Sequence, residues 1–301
     1  MKLSILGCYA ATPRTLTNPT AQVLEMGNQL FLIDCGEGTQ VQLRKNKVKF
    51  SRIDHIFISH LHGDHFFGLP GLISTFRLLG REKEVHIYGP KGIKDAITLF
   101  LKLGDSWTNY PLIFHELESN ASELIYENKK ITVHTLPLQH RIYTNGFLFS
   151  EKLGERKLNI NAVKKYRLDR SYFQQIKRGE HLILPNGTLL ANSEVSLDPV
   201  PPKKYAYCSD TAFDMALVPL IKNADVLYHE STFLTSESKL AVKTKHATAK
   251  EAALIAKAAD VGQLILGHYS TRYGSIEPFK EEAAAIFPSV VLADDGKVFQ
   301  F

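Results

Sequence analysis

Residues 59–68 read Ser59-His60-Leu61-His62-Gly63-Asp64-His65-Phe66-Phe67-Gly68. Three histidines and one aspartate fall within six positions. The run ahead of them, Ile53 to Ile58, is apolar and rich in β-branched residues, which predicts a buried strand. Phe66 to Leu79 carries apolar residues at helical spacing. The four polar residues therefore sit on a strand-to-helix turn. His60 and His62 are two apart and can face the same side of an extended backbone. Asp64 and His65 open the helix and can face a second point beside the first. Imidazole and carboxylate suit zinc, with manganese or iron as rivals.

The rest of the chain sets the context. Its 301 residues are 44% hydrophobic, ample for a sizeable core, and no run is long enough to cross a membrane. The apolar run after Lys2 is too short for a secretory signal and fits a first strand. Cys8, Cys35 and Cys208 are few and odd in number, and none stands in a Cys-x-x-Cys pair. That argues against a disulfide scaffold and for a reducing cytoplasm. The net charge of +5 is unevenly spread. Residues 151–178 hold nine Lys/Arg (Lys152, Arg156, Lys157, Lys164, Lys165, Arg167, Arg170, Lys177 and Arg178) against three Asp/Glu. Tyr166, Tyr172 and Phe173 lie among them. The segment reads either as a solvated helical hairpin or as an arm that contacts phosphates.

Strands are expected at 3–6, 22–26, 29–34, 53–58, 84–88, 113–117, 123–126, 130–136, 146–149, 204–208, 225–228, 263–266, 290–293 and 297–301. Helices are expected at 39–45, 66–79, 92–103, 212–222, from near Thr248, and at 276–286. Thr248 with Glu251 forms a capping-box pattern. Strands alternate with helices twice over, which implies an α/β (α+β) fold: two mixed sheets face to face with helices outside, an αββα four-layer sandwich. One domain over 1–301 is expected, with 151–178 as a basic arm inserted in it. Polar residues recur at strand ends. Asp34 closes an apolar strand, as a turn residue or as a buried carboxylate that orients a metal-bound histidine. His140, Asp210 and His268 also follow strands.

The stretch His60-x-His62-x-Asp64-His65 resembles the signature of the metallo-β-lactamase superfamily, which is specific for a paired metal site and silent on substrate. Asp34-Cys35-Gly36-Glu37-Gly38-Thr39-Gln40, His229-Glu230-Ser231-Thr232, Lys245-His246-Ala247-Thr248 and His268-x-Ser270-x-Arg272-Tyr273 narrow it. In this order they resemble the ribonuclease Z family of tRNA 3′-processing endonucleases, short form, over essentially the whole chain. The loop Leu6-Gly7-Cys8-Tyr9-Ala10-Ala11-Thr12-Pro13 is poorer in glycine than the family's, and the arm lacks the family's Gly-Pro phrase.

The resemblance implies two zinc ions per chain, or manganese or another divalent metal. The first would take His60, His62 and His140, and the second Asp64, His65 and His268. Asp210 would bridge them, with Asp34 behind a ligand. Asp64, Glu230 and His246 would be catalytic, His246 as proton donor held by Glu230. The nine arm cations and Arg272 would bind the substrate, precursor tRNA. Cleavage would leave a 3′-hydroxyl on the tRNA and a 5′-phosphate on the trailer. A cytoplasmic homodimer with no membrane contact completes the expectation.

Two other readings stand beside this one. Another hydrolase of the same fold, such as a cyclic-nucleotide phosphodiesterase or a thioesterase, needs the metal site but no basic insertion after His140. A non-catalytic RNA-binding module on a dead hydrolase predicts lost ligands, whereas all seven expected ligands are present.

Overall fold

Leu30, Phe31, Leu32 and Ile33 are all buried, yet they serve two different cores. Along an extended strand alternate side chains point to opposite faces. Phe31 and Ile33 join Phe57, Phe147 and Phe149 in one core. Leu30 and Leu32 join Leu69, Leu72, Ile73, Ile93 and Ile97, which lie on helices. A strand apolar on both faces is a strand covered on both faces.

The computed structural model describes residues 1–12 and 14–301. They form two compact units: Met1–Ser150 with Lys203–Phe301, and Glu151–Pro202. No helix among the described residues is long and apolar enough to cross a membrane.

The first unit holds two seven-stranded mixed sheets. We number its strands β1 (Lys2–Gly7), β2 (Ala21–Met26), β3 (Gln29–Ile33), β4 (Ile53–Phe57), β5 (Val85–Pro90), β6 (Leu112–Leu117), β7 (Leu124–Glu127), β8 (Ile131–Pro137) and β9 (Asn145–Glu151). Then follow β10 (Lys204–Cys208), β11 (Val226–Glu230), β12 (Gln263–Gly267), β13 (Val290–Leu292) and β14 (Val298–Gln300). The first sheet runs β14-β1-β2-β3-β4-β5-β6 and the second β13-β12-β11-β10-β9-β8-β7. Strands β3 to β6 are parallel, as are β10 to β13, so their carboxyl ends share one edge of each sheet. Each of the seven expected metal ligands lies in a loop or short helix that follows a strand.

Two expected helices are altered. The stretch 66–79 is divided into Gly63–Phe66 and Leu69–Leu78, with Pro70 in the first turn of the second, where its missing N–H costs nothing. The stretch 212–222 is helical only from Met215 to Ile221. The Thr211 N–H donates to Glu230 and the Ala212 N–H to the Gln139 carbonyl, and the backbone stays extended at Asp214. Asp214 then caps the turn at Ala216.

The second unit contains the basic stretch 151–178 and continues to Pro202. Ala162, Leu168 and Ile176 from the basic stretch pack with Leu182, Leu190 and Val195 from beyond it. Counted to Pro202, the unit carries nine Lys/Arg and six Asp/Glu. Among the described cations, Arg156 faces Asp198 at 2.5 Å, Arg178 faces Glu180 at 2.7 Å, and Lys177 faces Glu155 at 3.7 Å. Lys157, Lys164, Lys165, Arg167 and Arg170 have no such ion pair among the described residues.

Candidate metal centre

Strand β4 ends at Phe57, and the chain turns through Ser59 and His60 before the helix Gly63–Phe66. This places Nε2 of His60 2.9 Å from Nδ1 of His62. With His140 after β8 and Asp210 after β10, their donor atoms all lie within 4.8 Å of one another. Asp64, His65 and His268 form a second such group. Asp210 divides its two oxygens between them. Oδ2 lies 3.6 Å from His60 Nε2 and 3.7 Å from His140 Nε2. Oδ1 lies 3.2 Å from His268 Nε2 and 3.4 Å from His65 Nε2.

The outer ring nitrogens are held by fixed acceptors. His140 Nδ1 donates to the Lys245 carbonyl at 2.9 Å. His268 Nδ1 donates to the Thr232 hydroxyl at 2.9 Å, and that hydroxyl donates to Glu230 at 2.7 Å. His65 Nδ1 donates to Asp34 at 2.8 Å. Such bonds leave each Nε2 lone pair pointing inward. Asp34 and His268 both adopt the left-handed backbone region, with φ of 56° and 60°. Neither is glycine, so each conformation is held by its surroundings. The turn at Asp34 ends β3 and brings its buried carboxylate under Ser59 and His65.

The charges fit a bound cation. Asp34, Asp210 and Glu230 are fully or nearly fully buried, and Asp64 is mostly so. Uncompensated buried carboxylates are costly. Burial works against a charge on His65, but Asp210, Asp64 and Asp34 outweigh it and hold its pKa well above the ordinary value. Burial, then the neighbouring His65, holds His60 well below its ordinary value, and burial lowers His62 and His140. Neutral imidazoles are the form that ligates metal. Nε2 of His140 and Oδ1 of Asp210 are buried without a hydrogen-bond partner among the described residues. A divalent metal would satisfy both.

Beside this cluster, His246 Nδ1 lies 2.8 Å from Glu230 Oε1. Burial opposes a charge on His246, but Glu230 outweighs it and holds the pKa at about 9. His246, Arg141, Asp64, Asp210 and His268 line a pocket of about 260 Å³ over the site. The arm cations lie in the other unit. The Arg272 guanidinium packs over the Phe233 ring and lies 3.6 Å from Glu237.

Sequence reasoning missed Ser59, Thr232, Tyr207 and Arg141. Ser59 and Arg141 directly flank His60 and His140 and were open to notice. Tyr207, whose hydroxyl donates to Asp34 at 2.5 Å, carries no local signal.

A family model described as Anti-Pycsar protein Apyc1 matches residues 1–154, about half of the chain. Ribonuclease Z of Bacteroides fragilis is 46% identical over 295 residues, covering 98% of this chain and 97% of that protein. The chain belongs to the ribonuclease Z family. Its first 154 residues belong to the Apyc1 family too, and that match ends just inside the second unit. Ribonuclease Z of Parabacteroides distasonis is 44% identical over 98% of this chain and 97% of its own length. Human tRNase Z, short form, superposes with a TM-score of 0.73 at 28% identity, covering 100% of this chain and 99% of that one. The metallo-β-lactamase fold protein YhfI of Bacillus subtilis, at 20% identity and a TM-score of 0.69, shares the fold. The fold is therefore the metallo-β-lactamase sandwich, and the His/Asp cluster is a divalent-metal site.

Proposed function

We propose that this chain is a zinc-dependent endoribonuclease that removes the 3′ trailer from precursor tRNA, leaving a 3′-hydroxyl on the tRNA and a 5′-phosphate on the trailer. Ribonuclease activity and tRNA 3′ processing rest on ribonuclease Z membership. The observation that carries the chemistry is the split of Asp210, one oxygen toward each donor group. His60, His62 and His140 would hold one zinc, Asp64, His65 and His268 a second, with Asp210 shared. Bound metals supply a water-derived nucleophile at neutral pH and draw charge from the phosphate.

The chain's own residues do the rest. Asp34 fixes the ring of His65. Glu230 keeps His246 charged, and His246 gives its proton to the departing 3′-oxygen, otherwise a poor leaving group. Asp64 completes the catalytic set as a ligand. Arg141, exposed at the pocket, offers a cation to the phosphate flanking the cut. Arg272 and the arm cations bind further phosphates of the substrate, led by the five arm cations without an ion pair among the described residues.

The active form is a homodimer. On the helix Ile93–Leu103, Leu99, Phe100 and Leu103 make an apolar stripe that is more than half exposed, and Trp107 follows at 50%. A contiguous exposed apolar stripe of this kind marks a protein contact surface. Three buried, unpaired cysteines suit a reducing cytoplasm.

The test compares a labelled precursor tRNA with a small phosphodiester. Cleavage of the precursor at the 3′ end of the mature tRNA, far more efficient than hydrolysis of the small ester, is expected. Hydrolysis of the small ester alone would make the protein another esterase of this fold.

A further inference from the structure

Beside the metal pocket lies a chamber of about 290 Å³. Ala10, Ala11, Gly63 and Asp64 border both. Its other walls include Tyr9, Thr12, Thr17, Glu37 and Phe67. The proposed metal ligands do not fill it, and no step described above uses it.

Phe67 is the anomaly. Its neighbours Phe66 and Leu69 are buried, yet Phe67 is 57% exposed. The ring lies against the backbone of the metal loop. A Cβ placed on Gly63 would stand 2.5 Å from the Phe67 ring, so glycine between His62 and Asp64 is what lets the ring lie there. One side of the phenyl is thus set against the loop while much of the ring faces solvent. An exposed phenyl gains little from burial and makes no hydrogen bond. What it offers beside a phosphodiester-cleaving centre is a π-face, on which any base can stack.

The polar walls agree. The Glu37 carboxylate, exposed at this chamber, repels phosphate but accepts from base amino groups and ribose hydroxyls. Thr12 and Thr17 add hydroxyls. Tyr9 is fixed by its hydrogen bond to Asp294 at 3.0 Å and by its edge contact with Tyr269. An aromatic wall with neutral and acidic acceptors is a site for a base and its sugar, not for the charged backbone.

We propose that this chamber receives the nucleobase of a nucleotide adjoining the scissile phosphate, with Phe67 as its stacking platform. The proposal rests on the RNA-cleaving reading of the metal site.

The test uses three precursor tRNAs: intact, abasic at the last nucleotide of the mature tRNA, and abasic at the first trailer nucleotide. Each is cut by the wild-type protein, Phe67→Leu and Phe67→Tyr, all assayed for bound metal. Phe67→Leu should lower kcat/KM on the intact precursor by about 5- to 150-fold, the range of one base–aromatic stack. Phe67→Tyr should restore most of it. On one of the abasic substrates the wild type should show the same loss, and Phe67→Leu should add nothing further. That substrate identifies the stacked nucleotide. Losses that multiply at both positions, full activity of Phe67→Leu, or a Phe67→Leu protein that has lost its metal would each overturn the platform. A wild-type protein that leaves the intact precursor uncut would instead overturn the RNA-cleaving reading itself.

Discussion

His246 Nδ1 lies 2.8 Å from Glu230 Oε1, and Glu230 is completely buried. The second oxygen of that carboxylate accepts from the Thr232 hydroxyl and the Thr232 N–H, so its position is fixed from both sides. A buried carboxylate so held favours an imidazolium beside it. His246→Ala should lower turnover of precursor tRNA by a factor of roughly 100 or more. Bound metal should stay at the wild-type level, because the seven proposed ligands do not include His246. Unchanged turnover would remove His246 from proton transfer.

Seven side chains in two groups with a shared aspartate are too many for one tetrahedral ion and enough for two. Protein purified without chelator should carry close to two metal equivalents per chain. Asp210→Asn, which weakens one shared oxygen, should lower that content and the activity together. A reproducible single equivalent with full activity would contradict the two-ion centre.

The second unit is inserted between β9 and β10, which pair antiparallel with Ser150 opposite Lys204. A short Gly-Ser turn can therefore replace residues 152–202 and leave an ordinary hairpin. Removing only 152–177 would strand Leu182, Leu190 and Val195 without their packing partners. The full deletion should keep small-ester hydrolysis within a few-fold and lose precursor cleavage through binding. In the intact protein, if about four cations meet phosphates, affinity should fall with salt at a log–log slope of roughly −3 to −4. Changing Lys164, Lys165 and Arg167 to Ala should flatten that slope more than changing Arg156, Lys177 and Arg178, whose charges are already met. Normal cleavage and salt dependence after deletion would leave the unit without a role in RNA binding.

A second histidine group sets an acid limit on stability. His55 pairs across strands with His86, stacks on its ring, and meets the Tyr126 ring edge-on. Asp54, Lys83, His86 and His115 are the charged and titratable groups acting on it. Burial, then His86, pushes its pKa down to about 4. A histidine lowered in the folded state stabilises fully above its unfolded value near 6.5 and loses that stability as pH falls toward 4. The urea midpoint of the metal-free protein should drop between pH 7 and pH 5. In His55→Phe, which cannot titrate, the drop should be smaller. Equal drops would assign the acid sensitivity to other groups.

The strand-to-helix turn at 59–68 was legible because its signals are local: apolar alternation before it, helical spacing after it, histidines two apart within it. The strands of the first unit and most of its helices were legible for the same reason. The unread parts depend on contacts between distant positions. Tyr207 reaches Asp34 across the two sheets, a link that no local pattern encodes. The second unit's end at Pro202 is set by Leu182, Leu190 and Val195, which close a core begun by Ala162 and Ile176. A charge count saw only the basic half. The helix expected from Ala212 begins later because Asp214 is extended and its carboxylate accepts from the Ala216 N–H, so the helical turn starts after it.

The most direct measurement is cleavage of a precursor tRNA in ¹⁸O-enriched water, with both products analysed by mass. Attack of water on phosphorus with departure of the 3′-oxygen requires a tRNA ending in an unlabelled 3′-hydroxyl. The trailer should carry one ¹⁸O in its 5′-phosphate. A 2′,3′-cyclic phosphate or a labelled 3′-phosphate on the tRNA would contradict both the polarity of the cut and the roles given to Asp210, Glu230 and His246.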